Sequence, residues 1–206
     1  MAKILKNDRV VNAFTAQAEL RRRRTSERVA AAFHESAHAI VAEAFGFPVA
    51  YVNIVPGDGF VGHCQLAITP DGGAFPIFGT PRALCYLAQT LAGAAAEYIR
   101  GTLPLDSLPA SDVDCLIPVL LPMAANAGKP PREFYERIMS MTLELVSSPR
   151  MWSAIATLAE LLLDRDSVDG EAVRQVLREE GIAVCTENEQ IALAMMLAGK
   201  TSLRAR

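Results

Sequence analysis

The sequence predicts a mainly α-helical protein with a small β-sheet, an α+β fold. Apolar residues make up 51% and aromatic residues only 6% of the 206 residues, a composition rich in alanine and leucine that suits packed helices. Long stretches without glycine or proline alternate with loops that are rich in both. One pair of apolar segments, 48–55 and 60–69, accounts for the sheet.

The first helix is predicted from Ser26 onwards, because ERVAAAFHESAHAIVAEAF is rich in alanine and no glycine or proline occurs before Gly46. Thr25 or Ser26 is the expected N-cap. Residues 1–27 are mixed and polar and are expected to form an N-terminal arm. Within this arm, the run Arg21–Arg24 favours a solvated helical face or a mobile arm, with a nucleic-acid or membrane contact as the alternative.

A small sheet is expected after this helix. The segment 48–55 is rich in β-branched residues, 57–59 is a glycine turn, and Phe60–Thr69 is the returning strand. We expect this returning strand to form the edge of the sheet.

A loop separates the sheet from the second helix. The segment Pro70–Thr80 contains three glycines and an internal proline, and is therefore predicted to be irregular. Pro81 then begins an apolar helix that runs to about Arg100 and ends at Gly101.

The C-terminal half is predicted to be a helical bundle. An apolar element at Asp112–Met123 contains Pro118 and Pro122, so we expect it to be kinked or short. Thr186 and Glu189 have capping-box spacing before the apolar run IALAMMLAG, which predicts a tail helix that docks on this subunit or a neighbour. The further predicted helices are Pro131–Ser147, Pro149–Arg165 and a last short helix within 166–181.

The strongest functional signal lies in the first helix. His34, Glu35 and His38 form the pattern HExxH, and residues four apart lie on the same face of a helix. Both imidazoles can therefore reach one metal ion, and Glu35 is placed to take a proton from a water molecule beside it. A single histidine on such a helix is usually a packed or surface residue. With only three histidines in the chain, two at this spacing predict a zinc site with Glu35 as general base.

A catalytic zinc takes three protein ligands, so one more is needed. The extended pattern of the metzincins is absent, because no histidine follows at the required place. The candidates lie in the returning strand, in the second helix and after a proline-rich loop; they are His63, Glu97, Asp112 and Asp114. Spacing alone does not choose among them.

Several ordered segments resemble the peptidase domain of the FtsH-type ATP-dependent zinc proteases. AAFHESAHAIVA is similar to that family's metal-binding helix, and VAYVNIVPGDGFVGHCQLA to its two strands and glycine turn. LAGAAAEYIRG resembles its small-residue helix with an embedded glutamate, and LAELLLDRDSVDGEAVRQVL its C-terminal helical signature. The resemblance covers roughly residues 28–180 and implies a zincin-like domain there, between the arm 1–27 and a tail helix in 181–206.

The resemblance implies a zinc endopeptidase and assigns a third ligand. In the family this ligand is an aspartate in a segment reading roughly Ala-Ser-Asn-Asp and then an apolar residue; here the segment is Ala110-Ser111-Asp112-Val113. Counting from Gly101 places Asp112 at that position, with Asp114 in reserve because the segment lacks one residue of the pattern. His63 is a candidate for holding substrate, with a hydrogen-bonded strand histidine as the alternative.

The family joins its peptidase to an ATPase module and membrane helices, and this sequence holds neither pattern. The string Gly199-Lys200-Thr201 fails as a P-loop because Ala194 stands where the motif needs its first glycine. We therefore expect ATP-independent cleavage of peptides or unfolded proteins, or delivery of substrates by a separate ATPase or adaptor. Because the family works as a ring and the small-residue helices leave apolar faces, a homo-oligomer is expected.

Charge and cysteine content exclude other classes. A formal net charge of -3 argues against nucleic acid or an anionic membrane as the main partner. The four cysteines form no CxxC pair and are expected to be small buried residues. No signal-peptide pattern is present, and the longest apolar run, 83–99, is interrupted by Gln89 and Glu97. A cytoplasmic protein without a transmembrane helix is expected.

Two other functions compete with general peptide cleavage. A catalytically silent relative could keep the fold as a scaffold or binding module, although such a protein would not need Glu35. A regulatory protease could instead cut one specific protein substrate, such as a repressor. A zinc assay, followed by casein or peptide hydrolysis with and without chelator, separates the enzyme from the scaffold.

Overall fold

The computed structural model describes residues 25–55, 62–67, 81–104, 107–186 and 189. Within these ranges, six helices accompany one three-stranded antiparallel sheet, which confirms the predicted α+β class. The helices are α1 (25–44), α2 (Pro81–Ile99), α3 (Ala110–Asn126), α4 (Pro131–Ser147), α5 (Pro149–Arg165) and α6 (Gly170–Glu179). The strands are β1 (Val49–Asn53), β2 (His63–Leu66) and β3 (Ser167–Asp169). The run Arg21–Arg24, the turn at 57–59, the loop Pro70–Thr80 and the apolar run 191–199 lie outside the described residues.

Helix α1 is the central element of the core. Many of its residues are alanines or β-branched residues with no exposed surface, among them Ala37, Ile40 and Val41. Because alanine side chains are small, neighbouring helices can approach the backbone of α1 closely. The helix therefore supplies most of its surface to packing rather than to solvent.

Glycine ends α1 as predicted. The amide of Gly46 donates to the carbonyl of Glu43 at 3.0 Å, and the amide of Phe47 donates to that of Ala42 at 2.9 Å. This pattern is a Schellman motif, which needs the positive φ of 73° that Gly46 adopts. Thr25 and Ser26, the two predicted cap positions, are exposed and lie in the first described turn of α1.

The sheet has the order β2-β1-β3, with both pairs antiparallel. In the described part of the chain, β2 therefore pairs only with β1 and forms one edge, as the sequence predicts. Val52 pairs with Cys64 on the buried face of the sheet, while Tyr51 pairs with Gln65 on the exposed face. The register shifts between Val49 and Tyr51, so β1 bends at this point.

Strand β3 was not predicted, because residues 166–181 indicate only a helix. Asp166 ends α5 in a left-handed conformation with φ 62°, and the next three residues pair with β1 before α6 begins. The hydroxyl of Ser167 also donates to the carbonyl of Val52 at 3.1 Å. Pairing with a distant strand, rather than local propensity, makes this short segment extended.

Helix α3, predicted to be kinked or short, is not short. It continues for 17 residues through Pro118 and Pro122. Each proline lacks the N–H that would bond the carbonyl four residues earlier, at Asp114 and Pro118 respectively. All three of these residues are exposed, so water can bond the freed carbonyls.

Helices α4, α5 and α6 confirm the predicted bundle. Helix α2 packs mainly along α4, and α5 packs against both α4 and α6. The side chain of Asp169 caps α6 by accepting from the amide of Ala172 at 2.9 Å. The predicted capping box is also present, with the amide of Thr186 donating to Glu189 at 2.7 Å. None of the described helices has the length and apolar character that a membrane span needs.

A buried carboxylate joins the end of α1 to the sheet and to α6. Glu43 is 5% exposed, and its Oε1 accepts from the amide of Val49 at 2.8 Å and from Arg174 Nη1 at 2.9 Å. Gly170 allows this close approach, because a Cβ there would lie 1.8 Å from the carbonyl oxygen of Val49. The contact therefore holds β1, and with it the edge strand β2, at a fixed position relative to α1.

Replacing Arg174 by methionine should destabilise the fold. The substitution leaves the buried Glu43 carboxylate with one partner fewer, and since Arg174 is partly exposed we expect a loss of about 1–2 kcal/mol in the free energy of unfolding. Urea denaturation of the metal-free protein measures this loss. Arg178→Met on the same helix is the matched control, because Arg178 pairs with the exposed Glu171. Equal effects of the two substitutions would contradict a special role for Arg174.

Candidate metal centre

Helix α1 places the three residues of the HExxH motif at the bottom of a cleft. His34, Glu35 and His38 are 6%, 9% and 7% exposed, so all three are buried polar residues. The two histidines are one helical turn apart, and their Nε2 atoms lie 2.9 Å from each other. The motif helix therefore brings two imidazole nitrogens to one point, as the spacing predicts.

Asp112, in the first turn of α3, brings a carboxylate to the same point. Its Oδ2 lies 3.2 Å from His34 Nε2 and 3.5 Å from His38 Nε2. Four ligands around a tetrahedral zinc, with bonds of about 2.0–2.1 Å, lie roughly 3.3 Å apart. The three atoms therefore have the separations that a zinc ion requires.

The hydrogen bonds behind the histidines fix which nitrogen faces the centre. His38 Nδ1 lies 2.7 Å from the carbonyl oxygen of Gln89, and since a carbonyl only accepts, this nitrogen carries the proton. His34 Nδ1 lies 2.7 Å from Oε1 of Glu97 in α2, which is also an acceptor when ionised. Both Nε2 atoms are then unprotonated in the neutral rings. Such outer partners are typical of histidines that bind metals.

An orphaned oxygen supports a cation at this point. Asp112 Oδ2 is buried and makes no contact that has hydrogen-bond geometry, although buried polar atoms nearly always find a partner. It faces two nitrogen lone pairs, so three electron-rich atoms converge on one point. A divalent cation bound by all three would satisfy them together, and the donor set N, N, O suits zinc.

The pKa values of His34, His38 and Asp112 also indicate that this site favours positive charge. Burial acts to lower the pKa of His34, but the adjacent Asp112 carboxylate and the hydrogen bond to Glu97 outweigh it and raise this pKa to about 10. Burial also acts to lower the pKa of His38, but the Asp112 carboxylate outweighs this effect and raises the pKa. Burial favours a higher pKa for Asp112, yet His38 and His34 hold it well below its usual range. Without a metal ion, protons on the imidazoles balance the carboxylates.

Glu35 stands next to this cluster with a raised pKa. Burial is the main cause, and the neighbouring His38 and His34 oppose it only in part. A carboxylate with a raised pKa is a stronger base, which suits a group that has to accept a proton from water. The chain just before β2 passes close by, since a Cβ on Gly62 would lie 2.6 Å from Cγ of Glu35.

Gly93 in α2 is a site residue that the sequence analysis missed. A Cβ at this position would lie 2.5 Å from Nε2 of His34 and 2.5 Å from Nε2 of His38. The absence of a side chain is therefore what leaves room for a metal between α1 and α2. A glycine inside an apolar helix usually has a packing reason, and this signal was available in the sequence.

The other candidate ligands lie outside the cluster. Glu97 contacts His34 from behind, and Asp114 is exposed on the far side of α3, so neither belongs to the group of converging ligand atoms in the described residues. His63 lines the cleft on β2, with its Nε2 3.0 Å from Oε1 of Gln65 and its ring 6.2 Å from that of Tyr51. Its position at the rim fits contact with a ligand and equally a hydrogen-bonded strand histidine.

The cleft has two depressions that meet at Glu35. The one beside His38 has a volume of about 180 Å³, and the one beside His34 about 300 Å³. Gly62 and Ser111 line both, so the motif residues lie at the middle of a continuous groove. All four cysteines are free, but only Cys85 is buried, while Cys64 and Cys185 are half-buried and Cys115 is exposed, which corrects the prediction that all are buried. Its place one turn after Asp112 puts it on the wall of the groove.

Comparisons with known proteins do not identify this chain. No family model matches the sequence, and no curated protein matches it significantly. The resemblance to the FtsH-type peptidases stays a prediction from the quoted motifs. The function has to be argued from the site itself.

Asp112→Ala should remove zinc binding, whereas Asp114→Ala should not. The first substitution deletes one of three converging ligands, and we expect the zinc affinity to fall by at least about 100-fold, since even outer partners contribute 10–100-fold. The second removes an exposed carboxylate from the same helix. Zinc content after dialysis against a competing chelator measures both. Loss of zinc from Asp114→Ala alone would overturn the assignment.

Gly93→Ala should also abolish zinc binding, although it replaces no ligand. The methyl group would occupy the space between the two Nε2 atoms and displace both rings. Alanine is favoured over glycine within a helix by about 1 kcal/mol, so the helix itself should not be weakened. Circular dichroism and urea denaturation in EDTA provide the control for folding. A variant that binds zinc like the wild type would show that α2 is not so close to the metal.

Proposed function

We propose that this protein is a zinc-dependent endopeptidase, related to the FtsH-type peptidases, that cleaves peptides or unfolded proteins. The observation that carries the proposal is the convergence of His34, His38 and Asp112 on one buried point, beside Glu35 and within an open groove. In a purely structural zinc site, a fourth side chain would occupy the remaining coordination position. In the described residues, the group of converging ligands has three members and adjoins the groove.

His34, His38 and Asp112 would hold the zinc ion in this proposal. When bound, zinc polarises the substrate carbonyl and lowers the pKa of water to about 7. Glu35 accepts a proton from the attacking water at its carboxylate, for which its raised pKa is suited. The same carboxyl group can then give this proton to the amine that leaves. Glu97 and the carbonyl of Gln89 keep the two imidazoles in place through both steps.

The edge strand β2 gives a way to hold the substrate. Its outer edge borders the groove at Gly62, His63 and Cys64, next to Glu35. An extended peptide can pair with the free backbone groups of such an edge, which would place its carbonyls over the metal with little sequence dependence. His63 is then a candidate for a contact with substrate at the rim. Native proteins should resist cleavage, because their strands are already paired.

This mode of binding supports ATP-independent action on unfolded chains. Delivery of substrates by a separate ATPase or adaptor is compatible with it and would extend it to folded proteins. We also propose a cytoplasmic location, supported by four free cysteines. An exposed apolar stripe on α3, formed by Val113, Ile117 and Leu121, supports the expected homo-oligomer.

Glu35→Gln is the variant that tests the proposed chemistry. The amide occupies the same space but cannot accept the proton of water, so hydrolysis of casein should fall by about 10²–10⁴-fold. Zinc content should stay at the level of the wild type, because Glu35 is not a ligand. Wild-type protein in the presence of a chelator is the matched control for loss of the metal. Zinc binding without any hydrolysis by the wild type would instead favour the scaffold.

A further inference from the structure

Gln89 in α2 is a buried polar residue whose side chain has no part in the proposed reaction. It is 8% exposed, and it lines the groove together with His38, Thr90 and Cys115. Its backbone carbonyl accepts the hydrogen bond of His38 Nδ1, so the residue is held firmly beside the motif. Its backbone is therefore fixed beside the metal ligands.

The side chain of Gln89 has unused hydrogen-bonding capacity. A glutamine amide offers two N–H donors and one carbonyl that accepts. Within the described residues, its side chain makes one hydrogen bond, a contact of 3.2 Å from Nε2 to the hydroxyl of Thr90. That hydroxyl in turn donates to the carbonyl of Tyr86 at 2.9 Å. Among the described residues, one donor and the carbonyl of this amide have no protein partner, and the residue lines a groove in which a bound ligand can pair with them.

We propose that Gln89 is a substrate-binding residue whose amide hydrogen-bonds the backbone of the peptide in the groove. This inference rests on the proposed peptidase function. An extended peptide has polar groups on both edges, and β2 can pair with one edge only. The second edge loses its water on entering the groove and needs partners on the wall formed by α2 and α3. A neutral amide with both a donor and an acceptor matches the N–H and C=O of a peptide group.

The position of Gln89 indicates which part of the peptide it contacts. Gly93 faces the point where His34 and His38 converge, and Gln89 lies one turn earlier on the same face of α2. Four residues of helix span roughly 6 Å, which equals about two residues of an extended strand. The peptide group bound by Gln89 is thus one or two residues from the bond that is cut, on the side of His38.

Gln89→Leu tests this role, because leucine has a similar size and cannot form hydrogen bonds. In the zinc-loaded Glu35→Gln background, which binds without cleaving, we expect the Kd for fluorescein-labelled casein to rise about tenfold by fluorescence anisotropy. In protein with Glu35 intact, KM for casein should rise similarly while kcat changes little. Gln175→Leu on the exposed face of α6 is the matched control and should change neither value.

The remaining outcomes are distinguishable. If the wild type cleaves casein and Gln89→Leu leaves both Kd and KM unchanged, the role of Gln89 is refuted while the peptidase stands. If Gln89→Leu loses zinc, the residue positions His38 and does not bind substrate, which also overturns the inference. If zinc-loaded wild-type protein cleaves neither casein nor peptides, the proposed function fails and the substrate role of Gln89 fails with it.

Discussion

The structure depends on bringing three electron-rich atoms together at one buried point at the bottom of the groove. The nitrogens of His34 and His38 and the oxygen of Asp112 would repel one another unless protons or a cation lay between them. Holding them there requires α1 and α2 to approach within a distance that only Gly93 permits. It also requires a fixed acceptor behind each imidazole. The close packing of α1 against α2 and the convergence of the three ligand atoms therefore depend on each other.

The rest of the fold keeps this constraint satisfied. The Schellman motif at Gly46 turns the chain from α1 into β1, and the buried Glu43 ties that turn to α6. The sheet is thereby held beside the motif helix, with β2 as the wall next to Glu35. On the other side, Asp112 lies in the first turn of α3, where the helix dipole favours a carboxylate. The bundle thus acts mainly as the support of a short groove.

The parts that followed from sequence are those with local causes. Helices α2, α4 and α5 begin at a proline and match their predicted ranges closely, and the HExxH spacing predicted the pairing of His34 with His38. Strand β3 depended on pairing with the distant β1, and the length of α3 depended on the exposure of its prolines to solvent. Local sequence patterns contain neither kind of information. Asp112 was selected through a family resemblance rather than through geometry. Glu97 was a candidate ligand and proved to be the partner behind His34.

The character of the groove bears on the choice between a general peptidase and one with a single protein substrate. Beside His38 the walls come from Cys64, Thr90 and Cys115, which are small and carry little charge. Beside His34 the groove is lined by alanines and, besides Glu35, by two further glutamates, of which Glu97 is engaged with the imidazole and Glu27 lies at the exposed rim. A site that reads one sequence needs deep or charged pockets that reject other side chains. A shallow groove bounded by a strand edge recognises chiefly the backbone, which is what an unfolded chain of any sequence presents.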